Sequence, residues 1–371
     1  MTNRAVDTGS AGVPPVPVCA GARWRSPQDQ GAAVGSACVR PNTGTPGTAG
    51  TPGTAGTPAP LSATLTWLTD APSPIARMES QGVAARGKLY VFGGFHTPNL
   101  LATTRSDAYD PAANRWTRIA DMPEPLTHSA VATDGSIIYL VGGFIGNHPG
   151  PSTRHVWRYD IAANRWSAAP PLPADRGAGA AVILGRQLHF FGGGTRLPGV
   201  VDIVDQGSHY VLALDGGTGW TSKAPIPNPR NHLAGAALGG KLYAIGGQHH
   251  RDEVLGDLGE ADAYTPATNR WARVADLPVP RGHISSSAFV MNSRIFVIGG
   301  TRRGDTNGLP AADVTAYDPH TNAWRLLTPL PAGRKSPVAD AIGGRIVVAT
   351  GNATSIAAPS TTTWTGVFRS S

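Results

Sequence analysis

Beyond residue 60 the chain alternates short apolar runs with clusters of Gly, Pro, Asn and Asp. Lys88–Phe92, Ile137–Val141, Lys241–Ile245 and Arg294–Ile298 are rich in branched and aromatic side chains and stop at glycine, which predicts strands rather than helices. The runs recur in phase. Double glycines close them at Gly93-Gly94, Gly142-Gly143, Gly192-Gly193, Gly246-Gly247 and Gly299-Gly300, with a degenerate Thr350-Gly351, at spacings of 49, 50, 54, 53 and 51 residues. Trp67, Trp116, Trp166, Trp220, Trp271 and Trp324 keep the same step.

Each period reads as four strands. The first is small and apolar (Ser129–Thr133, Gly235–Leu238), the second is the run that ends in glycines, and the third carries Tyr109-Asp110, Tyr159-Asp160, Leu214-Asp215, Tyr264-Thr265 or Tyr317-Asp318. The fourth holds the Trp and follows a turn such as Pro111–Arg115, Gly216–Gly219 or Pro266–Arg270. Four strands repeating at about 50 residues describe a propeller blade, which buries its faces only by stacking on neighbours. The last copy supplies strands near 336–342, 345–350 and 361–368, whereas Ala63–Leu68 has the pattern of a fourth strand and precedes the first copy. An all-β, six-bladed β-propeller over residues 61–371 is therefore expected, its ring closed by the amino-terminal strand.

These residues resemble the kelch family of β-propellers: the double glycine, the Tyr-Asp pair, and the Trp reached through an Asn- or Gly-bearing turn. The resemblance implies a scaffold for protein or ligand binding. Copper oxidases of kelch type need a cysteine fused to a tyrosine, and residues 61–371 contain no cysteine. The iron-dependent specifier proteins use Glu, Asp and His at four-residue intervals. Here Glu253 and Asp257 lead to Ala261, while Asp205 and His209 follow Val201, so both matches are incomplete.

Composition adds the tail. Residues 1–60 are low in complexity, and Gly44, Gly47, Gly50, Gly53 and Gly56 open five GTP or GTA triplets, which predicts a disordered linker. Cys19 and Cys38 are the only cysteines and could pair in an oxidising compartment. The start of the chain does not resemble a secretory signal, which favours the cytoplasm while leaving the compartment open. No run of about 18 apolar residues exists, so a membrane-spanning helix is not expected. The net charge of +7 is dispersed, and only four of 31 cations are lysine, so nucleic acid is not an expected partner.

Candidate chemistry lies at the start of each blade. Alignment on the double glycines puts Arg77, Arg176, Arg230, Arg281 and Arg334 at one position, with Leu126 in the second copy. One reading is a crown of guanidiniums at the channel mouth that receives a carboxylate or phosphate, as the resemblance implies for kelch propellers that bind acidic peptides. The other is structural bonding to loop carbonyls of the neighbouring blade. Two residues onward stand Glu79, His128, Ala178, His232, His283 and Ser336. His128 is expected to join the arginines in binding. Glu79, His232 and His283 would be the acid–base groups if the pocket were catalytic, as in a sugar-acid mutarotase of sialic-acid type. His128 and His283 fall on opposite blades, so neither a shared metal nor a cofactor is expected. His249-His250 beside Asp252 and Glu253 reads as a solvated loop. The leading expectation is a monomeric binding propeller for an acidic peptide, protein or small acid, with the isomerase as alternative.

Overall fold

In a computed structural model, residues 64–251, 256–302 and 308–369 are described. The tail of residues 1–60 with its triplets and cysteines, and the loop residues Asp252, Glu253, Arg303 and Asp305, lie outside the described residues. Six four-stranded antiparallel sheets follow one another. Blade one comprises Gln81–Ala85, Lys88–Phe92, Ser106–Asp110 and Arg115–Arg118. Blades two to five repeat this order from first strands Ala130–Thr133, Ala180–Leu184, Ala234–Leu238 and Ala288–Met291. Each first strand lies against the first strands of its two neighbours, so the six enclose an axial channel. Among the described residues the one helix is a single 3-10 turn, Pro266–Thr268, and no helix is long and apolar enough to cross a membrane.

Blade six joins distant parts of the chain. Val338–Ile342, Arg345–Ala349 and Thr363–Arg369 are completed by Thr64–Thr69, which runs antiparallel to the last of these with Trp67 opposite Gly366. The expected closure is thus observed, and the sheet edge that would invite foreign strands is covered.

The core is divided among the blade–blade interfaces, each holding an apolar cluster, with a second small one of Phe144, Ala178 and Ile203 between blades two and three. Between blades one and two the cluster includes Phe92, Met122, Leu126, Leu140 and Tyr159; between six and one, Leu89, Val91, Tyr109, Val338 and Val347. The Tyr, Asn and Trp of blades one, two, four and five act together on the outer side. Tyr109 Oη donates to Asn114 Oδ1 at 2.9 Å, and Asn114 Oδ1 also accepts the N–H of Ala71 in the segment leaving blade six. Trp116 Nε1 donates to the carbonyl of the same Ala71. Both backbone groups of one linker residue are thereby satisfied by the next blade. The clamp recurs with Asn164 and Trp166 on Ala120, Asn269 and Trp271 on Ala224, and Asn322 and Trp324 on Ala275. All four asparagines have φ of 46–51°, the left-handed region that Asn tolerates better than most residues. Blade three departs from this. Trp220 donates to the carbonyl of Pro170, a residue with no N–H to give, and Leu212, opposite Leu188, stands where blades one, two, four and five have Tyr, so the expected Leu214-Asp215 pair falls past the end of the strand His209–Ala213.

Ring closure is testable. A chain starting at residue 71 should lose the cooperative thermal transition, or melt at least about 10 °C lower, relative to one starting at residue 61, because the fourth strand of blade six, Thr64–Thr69, is lost. Equal melting profiles in differential scanning calorimetry would refute this.

Candidate functional site

The segments entering each first strand meet the segments that follow the double glycines on one face of the ring. Short bridges record this: Met78 with Phe95, Asn231 with Gln248, Gly282 with Thr301 and Lys335 with Asn352. At this level Glu79, His128, Ala178, His232, His283 and Ser336 all adopt φ of 50–55°. Left-handed backbone is unfavourable for side-chain-bearing residues, so six repetitions require compensation. It comes from bonds between blades. The N–H of Ala178 donates to His128 O at 2.8 Å, that of His232 to Ala178 O at 2.7 Å and that of Ser336 to His283 O at 3.1 Å. His128 N–H reaches Glu79 O at 3.3 Å.

Four of these side chains converge. One ligating atom from each of Glu79, His128, His232 and His283 lies within 4.8 Å of all the others. His283 Nδ1 is 2.8 Å from Glu79 Oε1, and His128 Nε2 is 3.3 Å from Glu79 Oε2. The His232 ring packs edge-on against His128 and tilted against His283, with centroids 5.0 and 4.1 Å apart. The expectation that His128 and His283 would have to reach across a wide channel is therefore corrected: the left-handed turn brings these side chains together. Burial alone would raise the Glu79 carboxyl, but His283 and His128 against its oxygens, with Lys335 beyond, hold it well below the usual carboxylate range. Ala178 and Ser336 complete the ring with small groups, and Ser336 Oγ is 3.3 Å from His283 Nδ1.

The cluster separates two cavities. Toward the mouth lies one of about 220 Å³, lined by Met78, Phe95, Leu100, His148, Ile203 and Asn352, with Arg196, Arg251 and Lys335 among its polar groups. Arg196 is held by Gly150 O at 2.7 Å and stacks 3.7 Å over the Phe144 ring. On the other side is a space of about 20 Å³ walled by Ser80, Ser129, Ser285, Ser286 and Ser336.

The aligned arginines do not crown this mouth. Arg77, Arg176, Arg230, Arg281 and Arg334 are between 0 and 8% exposed. Each guanidinium turns into its own blade. Arg230 bonds Gly246 O at 2.8 Å and Asp262 at 2.9 Å, Arg281 bonds Gly299 O, Asp313 O and Thr315, and Arg77 bonds Arg105 O and Asp107. Arg176 reaches Thr195 and Ser208, and Arg334 reaches Thr362 while lying over Trp364. Successive positive-φ glycines turn carbonyls away from the sheet ladder, and a forked cation satisfies them there. Of the two readings open in the sequence, the geometry matches structural bonding, with the correction that the carbonyls belong to the arginine's own blade and not to its neighbour.

The residue between the two aligned positions escaped the sequence reading. It contributes Lys335 to the cavity, Asn231 behind His232 and Thr127 behind His128. Its alternation with the buried arginines was the available signal, since neighbours in an extended segment face opposite ways. His249, expected to be solvated, is one-third exposed and bonds Asp205 at 2.9 Å.

Six four-stranded antiparallel blades around a channel, closed by a strand from the far end of the chain, define a six-bladed β-propeller. The kelch motif matches residues 77–123, 125–173, 229–278 and 285–331, just over half of the sequence. The chain belongs to the kelch family. The two stretches without a match are blade three, which lacks the Tyr–Asn clamp, and blade six, whose fourth strand is displaced in sequence. Among relatives, the chain is similar to Kelch-like protein terF of Aspergillus terreus, 30% identical over 64% of this chain and 52% of that protein. It is 26% identical to a kelch repeat-containing protein of Arabidopsis thaliana, over 64% of this chain and 58% of the other. Kelch-like protein 23 of Homo sapiens is 26% identical over 74% of this chain and 46% of its own length. The chain thus spans about half the length of these relatives.

Two outcomes follow. Arg230→Ala should cost about 3–5 kcal/mol of unfolding free energy in a denaturant titration, since it strands the buried Asp262 carboxylate; a change below about 1 kcal/mol would return this arginine to the pool of ligand-binding candidates. Asp340, in the first strand of blade six, is pushed up to about 6 by burial, against the opposing bonds from the N–H groups of Ala84 and Ala341. A carboxyl raised above its unfolded value favours the folded state at low pH, and that contribution is lost as pH rises through about 6. Between about pH 5 and about pH 7.5 the wild type should therefore lose more stability than Asp340→Asn; parallel pH profiles would contradict the assignment.

Proposed function

We propose that the protein is a binding propeller whose axial pocket receives a carboxylate or phosphate group, carried by a small molecule or by an acidic side chain of a partner protein. The supporting observation is the placement of Lys335, Arg251 and Arg196 around the cavity of about 220 Å³, beside the apolar walls of Met78, Phe95 and Ile203. Cations beside low-dielectric walls attract an anion more strongly than the same groups in open water. The volume is below the roughly 300–1,000 Å³ of pockets for drug-sized ligands, so it suits one acid group with few attached atoms.

Catalysis by proton transfer through Glu79, His232 or His283 is the weaker reading. A general base needs a lone pair directed at substrate, and both Glu79 oxygens are engaged by His283 and His128. A binding role makes no such demand.

The test is thermal shift and calorimetry of the full chain, freed of metals with chelator, against small carboxylates, inorganic phosphate and acidic peptides. A ligand at 100 times its Kd should add about 2.7 kcal/mol of stability. Lys335→Ala should weaken binding about tenfold or more while the unliganded protein melts within a degree or two of wild type. Binding that is indifferent to Lys335→Ala and Arg251→Ala, or the absence of binding by every anion, would defeat the reading.

A further inference from the structure

We propose that Glu79, His128, His232 and His283 form a binding site for a divalent transition-metal ion of the zinc type at the floor of the axial pocket. Three imidazoles with one carboxylate are a donor set suited to zinc and its imidazole-favouring neighbours, and unsuited to the all-oxygen preference of magnesium or calcium. The proposal does not depend on which anion, if any, enters the pocket above.

The donors are close enough. Ligands at about 2.0–2.1 Å around a tetrahedral ion lie roughly 3.4 Å from one another. Glu79 presents Oε1 to His283 Nδ1 at 2.8 Å and Oε2 to His128 Nε2 at 3.3 Å, so whichever oxygen ligates already has one imidazole near that separation. The outer limit of the set, 4.8 Å, closes with a movement of about 0.7 Å from each side. All four residues sit on one ring of left-handed backbone tied from blade to blade, so the donors are carried by the rigid part of the fold.

The residues behind the imidazoles supply an independent observation. Asn231 Nδ2 donates to Asp205 Oδ1 and to the carbonyl of His250 at 3.1 Å, which fixes the amide with its oxygen toward His232. An amide oxygen only accepts, so His232 Nδ1 carries the proton and Nε2 keeps its lone pair. Thr127 Oγ1 lies 2.9 Å from His128 Nδ1, which directs the Nε2 of that ring at the cluster. Metal-ligating histidines are oriented in this way, by a polar group on the nitrogen remote from the ion. Asp205, Asn231 and His232 form a relay from the loop of blade three to the site that ordinary channel lining would not require. Access is provided by the cavity toward the mouth, on whose surface all four donors lie.

The experiment uses the full chain without an affinity tag, stripped with chelator, equilibrated with zinc chloride and passed through gel filtration. Mass spectrometry of the bound element should give about one zinc per chain. Glu79→Gln and His232→Ala should each lower that content at least fivefold while retaining the wild-type circular dichroism spectrum. Asn231→Ala, which leaves all four donors in place, should weaken zinc binding about 10–100-fold. His155→Ala with His320→Ala, two exposed histidines away from the cluster, should retain full content, which separates the floor of the pocket from surface histidines. Should a substitution at the cluster prevent folding, cobalt loading of the wild type decides: intense visible bands of four- or five-coordinate cobalt support the site, and the weak spectrum of the hydrated ion overturns it. Zinc well below one equivalent in wild type, or content unchanged in His232→Ala, also overturns it. Because anion binding is measured on the metal-free protein with Lys335→Ala, either reading can fail while the other stands.

Discussion

The structure depends on one backbone constraint, repeated six times: a residue with a side chain held at φ near +50° where each blade turns toward the axis. An isolated residue would avoid this conformation, at a cost of order 1–2 kcal/mol. Here it is imposed because the same turn lets a backbone N–H of one blade reach a carbonyl of the blade before it. Ring formation and the left-handed turn therefore support each other, and neither is favourable alone. The site is a by-product of that bargain, since the turn also swings the side chains of Glu79, His128, His232 and His283 to one point.

The sequence disclosed the fold almost entirely, because each blade writes the same physical requirements into its residues. Glycines stand where strands end, asparagine where the last hairpin turns, and Trp where a linker carbonyl needs a donor. Blade three was the harder one to read: the Leu214-Asp215 pair suggested a third strand reaching further than it does, whereas Leu212 holds the place of Tyr, and with Pro170 in place of Ala this blade clamps its neighbour by one bond where blades one, two, four and five use two. The closure of blade six could be read because a strand pattern without a following copy had to find a partner.

The site was legible in its residues and not in its geometry. Column alignment found both the arginines and the glutamate–histidine level, but it carries no information on which way a side chain points. Arg77, Arg230 and Arg281 fell at the mouth by register and inside the blades by orientation, where they satisfy carbonyls displaced by the glycine turns. The inference that opposite histidines would be far apart used the blade count and ignored the inward swing of the backbone. The second circle of groups, Asn231, Thr127 and Lys335, sits on the alternate residue, which alignment by conspicuous charges passes over.

The joining of Thr64–Thr69 to Thr363–Arg369 also sets an order of events during synthesis. The first of these strands leaves the ribosome about 300 residues before its partner, an interval of roughly 15–60 s at ordinary elongation rates. Throughout that time the nascent chain can stack five blades and still present an unburied apolar blade face at either end of the arc, with Thr64–Thr69 unpaired. The final strand thus acts as a latch fitted last, and the vulnerability of the molecule to mispairing is concentrated in the moments before it arrives rather than in the finished ring.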